Sequence, residues 1–200
     1  MKNLTIFLLM LSQHSFGQLK DFNVKRHKTD QRLMLVLGAF ATTNLVGSGI
    51  GWASASNEEM RFFHQMNVMW NTVNLGLAIP GYLKAKTANN AISFSKTMEQ
   101  QRKTEFIFLF NGGLDLAYIG AGLIMRNEAK SNFEKANLLK GYGNSLLLQG
   151  GFLLIFDWLA YSLHQRHFKN NCLPILKRLE LSDNGLGLNL NLGSTTRSYK

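Results

Sequence analysis

The chain has 200 residues, 46% of them hydrophobic, with a formal net charge of +10 and a single cysteine, Cys172. One cysteine excludes an internal disulfide. The apolar residues gather in long runs with the basic residues between them, which ties the charge to membrane headgroups and leaves nucleic acid as an unexpected partner.

Residues 1–17 follow the order of a secretory signal: Lys2, an apolar run from Leu4 to Leu11, a polar stretch, then the small residues Ser15 and Gly17. That run is too short to span a bilayer, so residues 1–17 are expected to be a cleaved signal peptide. Residues 18–32 form a basic N-terminal segment carrying Lys20, Lys25, Arg26, Lys28 and Arg32. Positive charge so close behind a signal resists export.

Four stretches follow, residues 33–55, 62–83, 106–125 and 142–163, each long enough to cross a bilayer as a helix. A soluble helix has one apolar stripe, whereas these are apolar nearly all round. The expected fold class is therefore an all-α membrane protein, a four-transmembrane-helix bundle occupying residues 33–170.

Each span has a polar group near its middle, where hydrocarbon makes it costly and turns it inward. The first places Asn44, Gly47, Ser48, Gly51 and Ala55 on one face, and Gly47, Gly51 and Ala55 make a small-xxx-small surface for close helix packing. The second aligns Asn67, Trp70, Asn71 and Asn74, with Pro80 near its far end. The third aligns Asn111, Asp115, Tyr118 and Gly122. No lysine or arginine lies inside any span to pair with Asp115, so it is protonated, held by amides, or open to water. The fourth has Ser145 and Gln149 one turn apart, and Asp157 beside Trp158 and Tyr161, a grouping expected at the headgroup level. The expected intramembrane polar layer is Asn44, Asn67, Asn71, Asn74, Asn111, Asp115, Tyr118 and Gln149, with Gly122 joining Gly47, Gly51 and Ala55 as packing residues.

Two rules disagree on orientation. The N-terminal segment, the connection around residues 84–105 and the tail share one side and carry sixteen Lys and Arg, against five in the other two connections. Positive-inside places both termini in the cytoplasm. A cleaved signal reverses that arrangement, and its three-part order weighs more here because long tails count little in the charge rule.

Pro174 is expected to end the fourth helix. In the tail, residues 171–200, Leu186, Leu188, Leu190 and Leu192 alternate with Gly187, Asn189 and Asn191 after the turn cluster Ser182 to Gly185. That alternation reads as a short C-terminal β-hairpin.

The chain has no phosphate-binding glycine loop, no nucleophile elbow and no HExxH motif, so no enzymatic activity is expected. His164 and His167 lie near Cys172 without a carboxylate or second cysteine to complete a set, so neither a metal nor another cofactor is expected. The leading expectation is a structural or accessory bundle, with the lipid bilayer and a second copy or another membrane protein as partners. The alternative is a small transporter, channel or ligand-binding protein with a polar mid-membrane site around Asp115. A dry core favours the first and a cavity reaching Asp115 the second.

Met66-Asn67, Trp70 and Asn74, with Gly141-Tyr142-Gly143, Gln149-Gly150, Phe152-Leu153 and Phe156-Asp157, resemble the pattern of an uncharacterised family of small membrane proteins from Bacteroidetes-type bacteria. The resemblance covers the four spans and the tail. It implies a four-helix integral protein of the bacterial inner membrane and no particular activity.

Overall fold

In the computed structural model four helices, α1 (Lys2–Ser54), α2 (Glu58–Thr87), α3 (Phe94–Glu128) and α4 (Ala136–Asn171), run alternately up and down. The structure describes the backbone of residues 2–173, 181–182 and 185–186, and the side chains of residues 17–173.

Local chemistry sets most helix ends. Asn57 caps α2 by accepting from the Met60 amide at 2.8 Å, with Glu58 and Glu59 at the positive end of the helix dipole and Lys84 and Lys86 at the negative end. Ser93 caps α3 through the Lys96 amide at 3.3 Å. α2 continues through Pro80, whose missing N–H leaves the Gly76 carbonyl without its helical partner. α4 ends at Asn171; Pro174, expected to stop it, lies outside the described residues.

Helix α1 packs along α2 and α3 along α4, and the two hairpins join chiefly where α2 meets α4. α1 touches α3 only slightly, and the backbones of α2 and α3 do not approach each other. The apolar core is small and sits toward the end holding the N-terminal half of α1, around Leu33, Leu37, Ala78, Phe108, Leu153 and Phe156.

Burial is inverted relative to a water-soluble bundle. Asn71, Ser145, Gln149 and His164 are completely buried, while Ile50, Ile124 and Ile155 are 66%, 71% and 64% exposed. Apolar surface of this extent needs an apolar solvent. Gly17–Ser54, Phe94–Glu128 and Ala136–Asn171 are long and apolar enough to cross a membrane. α2 is not among them: its 30 residues suffice in length, but Asn67, Asn71 and Asn74 lower its apolarity.

Two expectations change at the ends of the chain. The basic segment at residues 18–32 is not separate but part of α1, with Leu19, Phe22, Asn23 and Arg26 buried against the other helices. The C-terminal β-hairpin is not supported: the chain there contributes a two-residue antiparallel bridge, Leu181 opposite Leu186 and Ser182 opposite Gly185. The alternating residues from Gly187 onward lie outside the described residues.

Candidate functional site

The α2–α4 contact is a polar seam. The Gln149 amide donates to Asn67 Oδ1 at 2.6 Å, and the Ser145 hydroxyl donates to the same oxygen at 3.0 Å. Asn74 Nδ2 reaches Gln149 Oε1 and Asn71 Oδ1, both at 3.4 Å, and Asn71 Nδ2 donates to the Asn67 carbonyl at 2.8 Å. All five side chains are buried, so each bond forms where no water competes. Of the expected polar layer, this seam gathers Asn67, Asn71, Asn74 and Gln149. Asn44 stays apart: half-buried on α1, it donates to its own helix at the Phe40 carbonyl, 2.9 Å away.

The remaining three residues of the layer, Asn111, Asp115 and Tyr118, line a groove. Because α2 and α3 stand across the bundle from each other, a cavity of about 350 Å³ opens between them. Trp70 and Tyr118 meet edge to face across it, with ring centroids 4.6 Å apart. Asn111, Asp115 and Tyr118 of α3 line it with Asn74 of α2 and Asp157 of α4.

Asp157 was expected at the headgroup level. The structure instead buries it, 5% exposed, with its carboxyl in hydrogen-bonding contact with that of Asp115, 3% exposed. A hydrogen bond between two carboxyl groups requires a proton on at least one of them. Asp115 Oδ2 has no further partner among the described residues. Trp158 and Tyr161 drew Asp157 toward the interface in the sequence reading, but its spacing of eight from Gln149 places it on the inward face.

Packing glycines are also redistributed. A Cβ on Gly51 would run into the His64 ring, and one on Gly122 would meet the Gly143 carbonyl oxygen at 2.8 Å, so both mark close approaches. Gly47 faces open space, and Ala55 is half-buried one residue beyond the end of α1. Gly141, not among the expected packing residues, sits against α2, where its Cβ would come within 2.5 Å of the Glu59 carbonyl oxygen.

At the opposite end of the bundle from Gly51 and Gly141 lies a second polar cluster. Asn23 Nδ2 donates to Thr97 Oγ1 at 3.0 Å, and His27 Nδ1 pairs with Asn90 Oδ1 at 2.8 Å. One terminal nitrogen of Arg26 is held by Gln100 Oε1 and His27. Desolvation lowers the Arg26 pKa from its usual value, partly offset by the charge of Asp30. His164, completely buried, stacks on Phe108 with its Nε2 3.0 Å from Asp30 Oδ1. Residues 19, 22, 23, 26, 27 and 30 recur at helical spacing, a signal that the charges around them concealed.

Residues 36–158 match the model of a family of unknown function, DUF6992. The chain belongs to the DUF6992 family. That match takes in most of the two helical hairpins, the polar seam and both groove carboxyls, while Asn23, Arg26 and His27 lie before it on α1. No curated protein and no solved structure matches the chain. Within this DUF6992 bundle Asn74 belongs both to the amide seam and to the wall of the largely apolar groove that holds the carboxyl pair.

Proposed function

We propose that this protein is a small multi-pass protein of the bacterial inner membrane that binds a proton-linked ligand in the groove between α2 and α3, with Asp115 and Asp157 as its proton-carrying pair. The observation that carries the reading is the cavity of about 350 Å³ that reaches both carboxyls. A purely structural bundle gains by filling such a space, because voids forfeit packing energy. The amide seam and the Gly122–Gly143 contact supply the scaffold, which is the part the accessory-bundle expectation describes.

In this reading α2 is a fourth span. Its amides turn inward while Met69, Val73, Leu77, Ile79 and Leu83 remain exposed, so its outer surface suits lipid better than its average composition does. A shared proton gives the pair two states of different charge. A ligand or cation that favours one state would be coupled to proton uptake or release.

Labelling with a hydrophobic carbodiimide tests this, since the reagent attacks protonated carboxyls reached from an apolar medium. Native membranes holding the full chain are treated, and the adduct is located by peptide mass spectrometry. The expected adduct is on Asp115 or Asp157, diminishing as pH rises. In proteoliposomes an acid pulse should acidify the lumen with the native chain and not with Asp115→Asn. Absence of both signals would return the bundle to a structural role.

A further inference from the structure

Arg26 is 1% exposed, yet its Nε and one terminal nitrogen have no hydrogen-bond partner among the described residues. A guanidinium withdrawn from water in this way is costly unless an anion satisfies it. Arg26 lines a pocket of about 400 Å³ between α1, the end of α2 and the start of α3, together with Lys84 and Lys103. Of the acidic groups of that pocket, Glu99 pairs with Lys96 at 3.0 Å and Asp30 lies 3.0 Å from the His164 ring, and neither is at ion-pair distance from Arg26, Lys84 or Lys103. Three cations from three helices thus converge without a carboxylate at ion-pair distance among the described residues.

Met34, Ile107 and Phe108 line both this pocket and the apolar groove leading to Asp115. The combined space is cationic at one end and apolar beyond, at the level where the basic half of α1 enters its span. A planar guanidinium backed by two ammonium groups matches the oxygens of a phosphate group.

We propose that this pocket binds the phosphate of an anionic amphiphile, with phosphoryl oxygens on Arg26, Lys84 and Lys103 and the acyl chain passing Met34 and Phe108 into the groove. Basic pockets between membrane helices recognise lipid head groups through this same chemistry. A soluble phosphate compound offers the same head without the chain. The phosphate contacts stand on the unpaired guanidinium and do not involve the carboxyl pair, while the acyl chain enters the groove that the pair lines.

The test is thermal melting of the full chain in neutral detergent with added dioleoylphosphatidic acid, dioleoylphosphatidylcholine, inorganic phosphate or sulfate. Phosphatidic acid is expected to raise the midpoint at micromolar concentration, with phosphatidylcholine and sulfate ineffective. Lys84→Gln with Lys103→Gln should weaken that response about tenfold, whereas Lys130→Gln with Lys135→Gln, at the other end of the bundle, should leave it intact. Arg26→Met should abolish the response without lowering the lipid-free midpoint, because it removes an unpaired buried charge. Inorganic phosphate acting as strongly as the lipid would support the phosphate site and assign it a soluble ligand. No shift with either phosphate compound, or equal loss in both lysine pairs, would overturn the proposal.

Discussion

Asp115 of α3 and Asp157 of α4 meet carboxyl to carboxyl inside the bundle, with no lysine or arginine among the residues lining the groove around them. Such a pair holds together by sharing a proton, and either member can be replaced by a group that still donates or accepts a hydrogen bond. Asp115→Asn and Asp157→Asn should therefore fold, with melting points in detergent close to the parent. Asp115→Leu strands the Asp157 carboxyl and should cost about 1–3 kcal/mol. Equal melting points for the asparagine and leucine variants would mean that the pair contributes nothing to folding.

Asn67 Oδ1 receives two side-chain bonds from α4, from Gln149 and Ser145. Asn67→Leu removes both acceptor contacts and leaves two buried donors without a partner. A loss of about 1–2 kcal/mol is expected. Urea or thermal denaturation of the detergent-solubilised chain reads it, and the loss should shrink when Gln149→Met is made in the same chain.

Gly122 and Gly143 bring the backbones of α3 and α4 together, and Gly141 does the same for α4 and α2. In a helix alanine is better than glycine by about 1 kcal/mol, so an open position should gain from the change. Gly47→Ala, facing open space, should leave stability unchanged or raise it. Gly122→Ala and Gly141→Ala place a methyl within 2.8 Å and 2.5 Å of a backbone oxygen and should be destabilising by about 1–3 kcal/mol. Melting of all three variants under one condition separates close packing from helix propensity.

His27 and His167 both lie outside the apolar stretches 33–55 and 142–163, and burial lowers the pKa of each below the usual 6.5. Desolvation dominates in both, opposed by a hydrogen bond to Asn90 for His27 and to the Phe22 carbonyl for His167. Below pH 6.5 the unfolded chain takes up protons that the folded chain refuses, so stability falls as pH drops from that value toward the folded-state pKa values. The melting midpoint should fall between pH 7.5 and 5.5, and His27→Gln with His167→Gln should flatten the dependence. An unchanged slope in the double variant would assign the acid sensitivity to other groups.

Much of the polar interior was legible one helix at a time. The 3.6-residue period put Asn67, Asn71 and Asn74 on one face of α2 and Asn111, Asp115 and Tyr118 on one face of α3, and hydrocarbon leaves such faces only the inside. The same reasoning went astray where flanking residues argued louder than spacing. Trp158 and Tyr161 suggested an interfacial Asp157, and five basic residues disguised the inward face of residues 18–32.

By itself the sequence determined that the chain forms helices long and apolar enough to cross a membrane, because run length, composition and periodicity are local properties of the chain. Only the tertiary structure decided that Asp157 faces Asp115, that Asn44 turns back on its own helix, and that Arg26 is buried without a carboxylate partner among the described residues. Those outcomes depend on how each helix is rotated and displaced against its neighbours. Ridge-and-groove packing and the close approaches at Gly51, Gly122 and Gly141 set those rotations, and they are properties of pairs of helices that no single stretch of sequence contains.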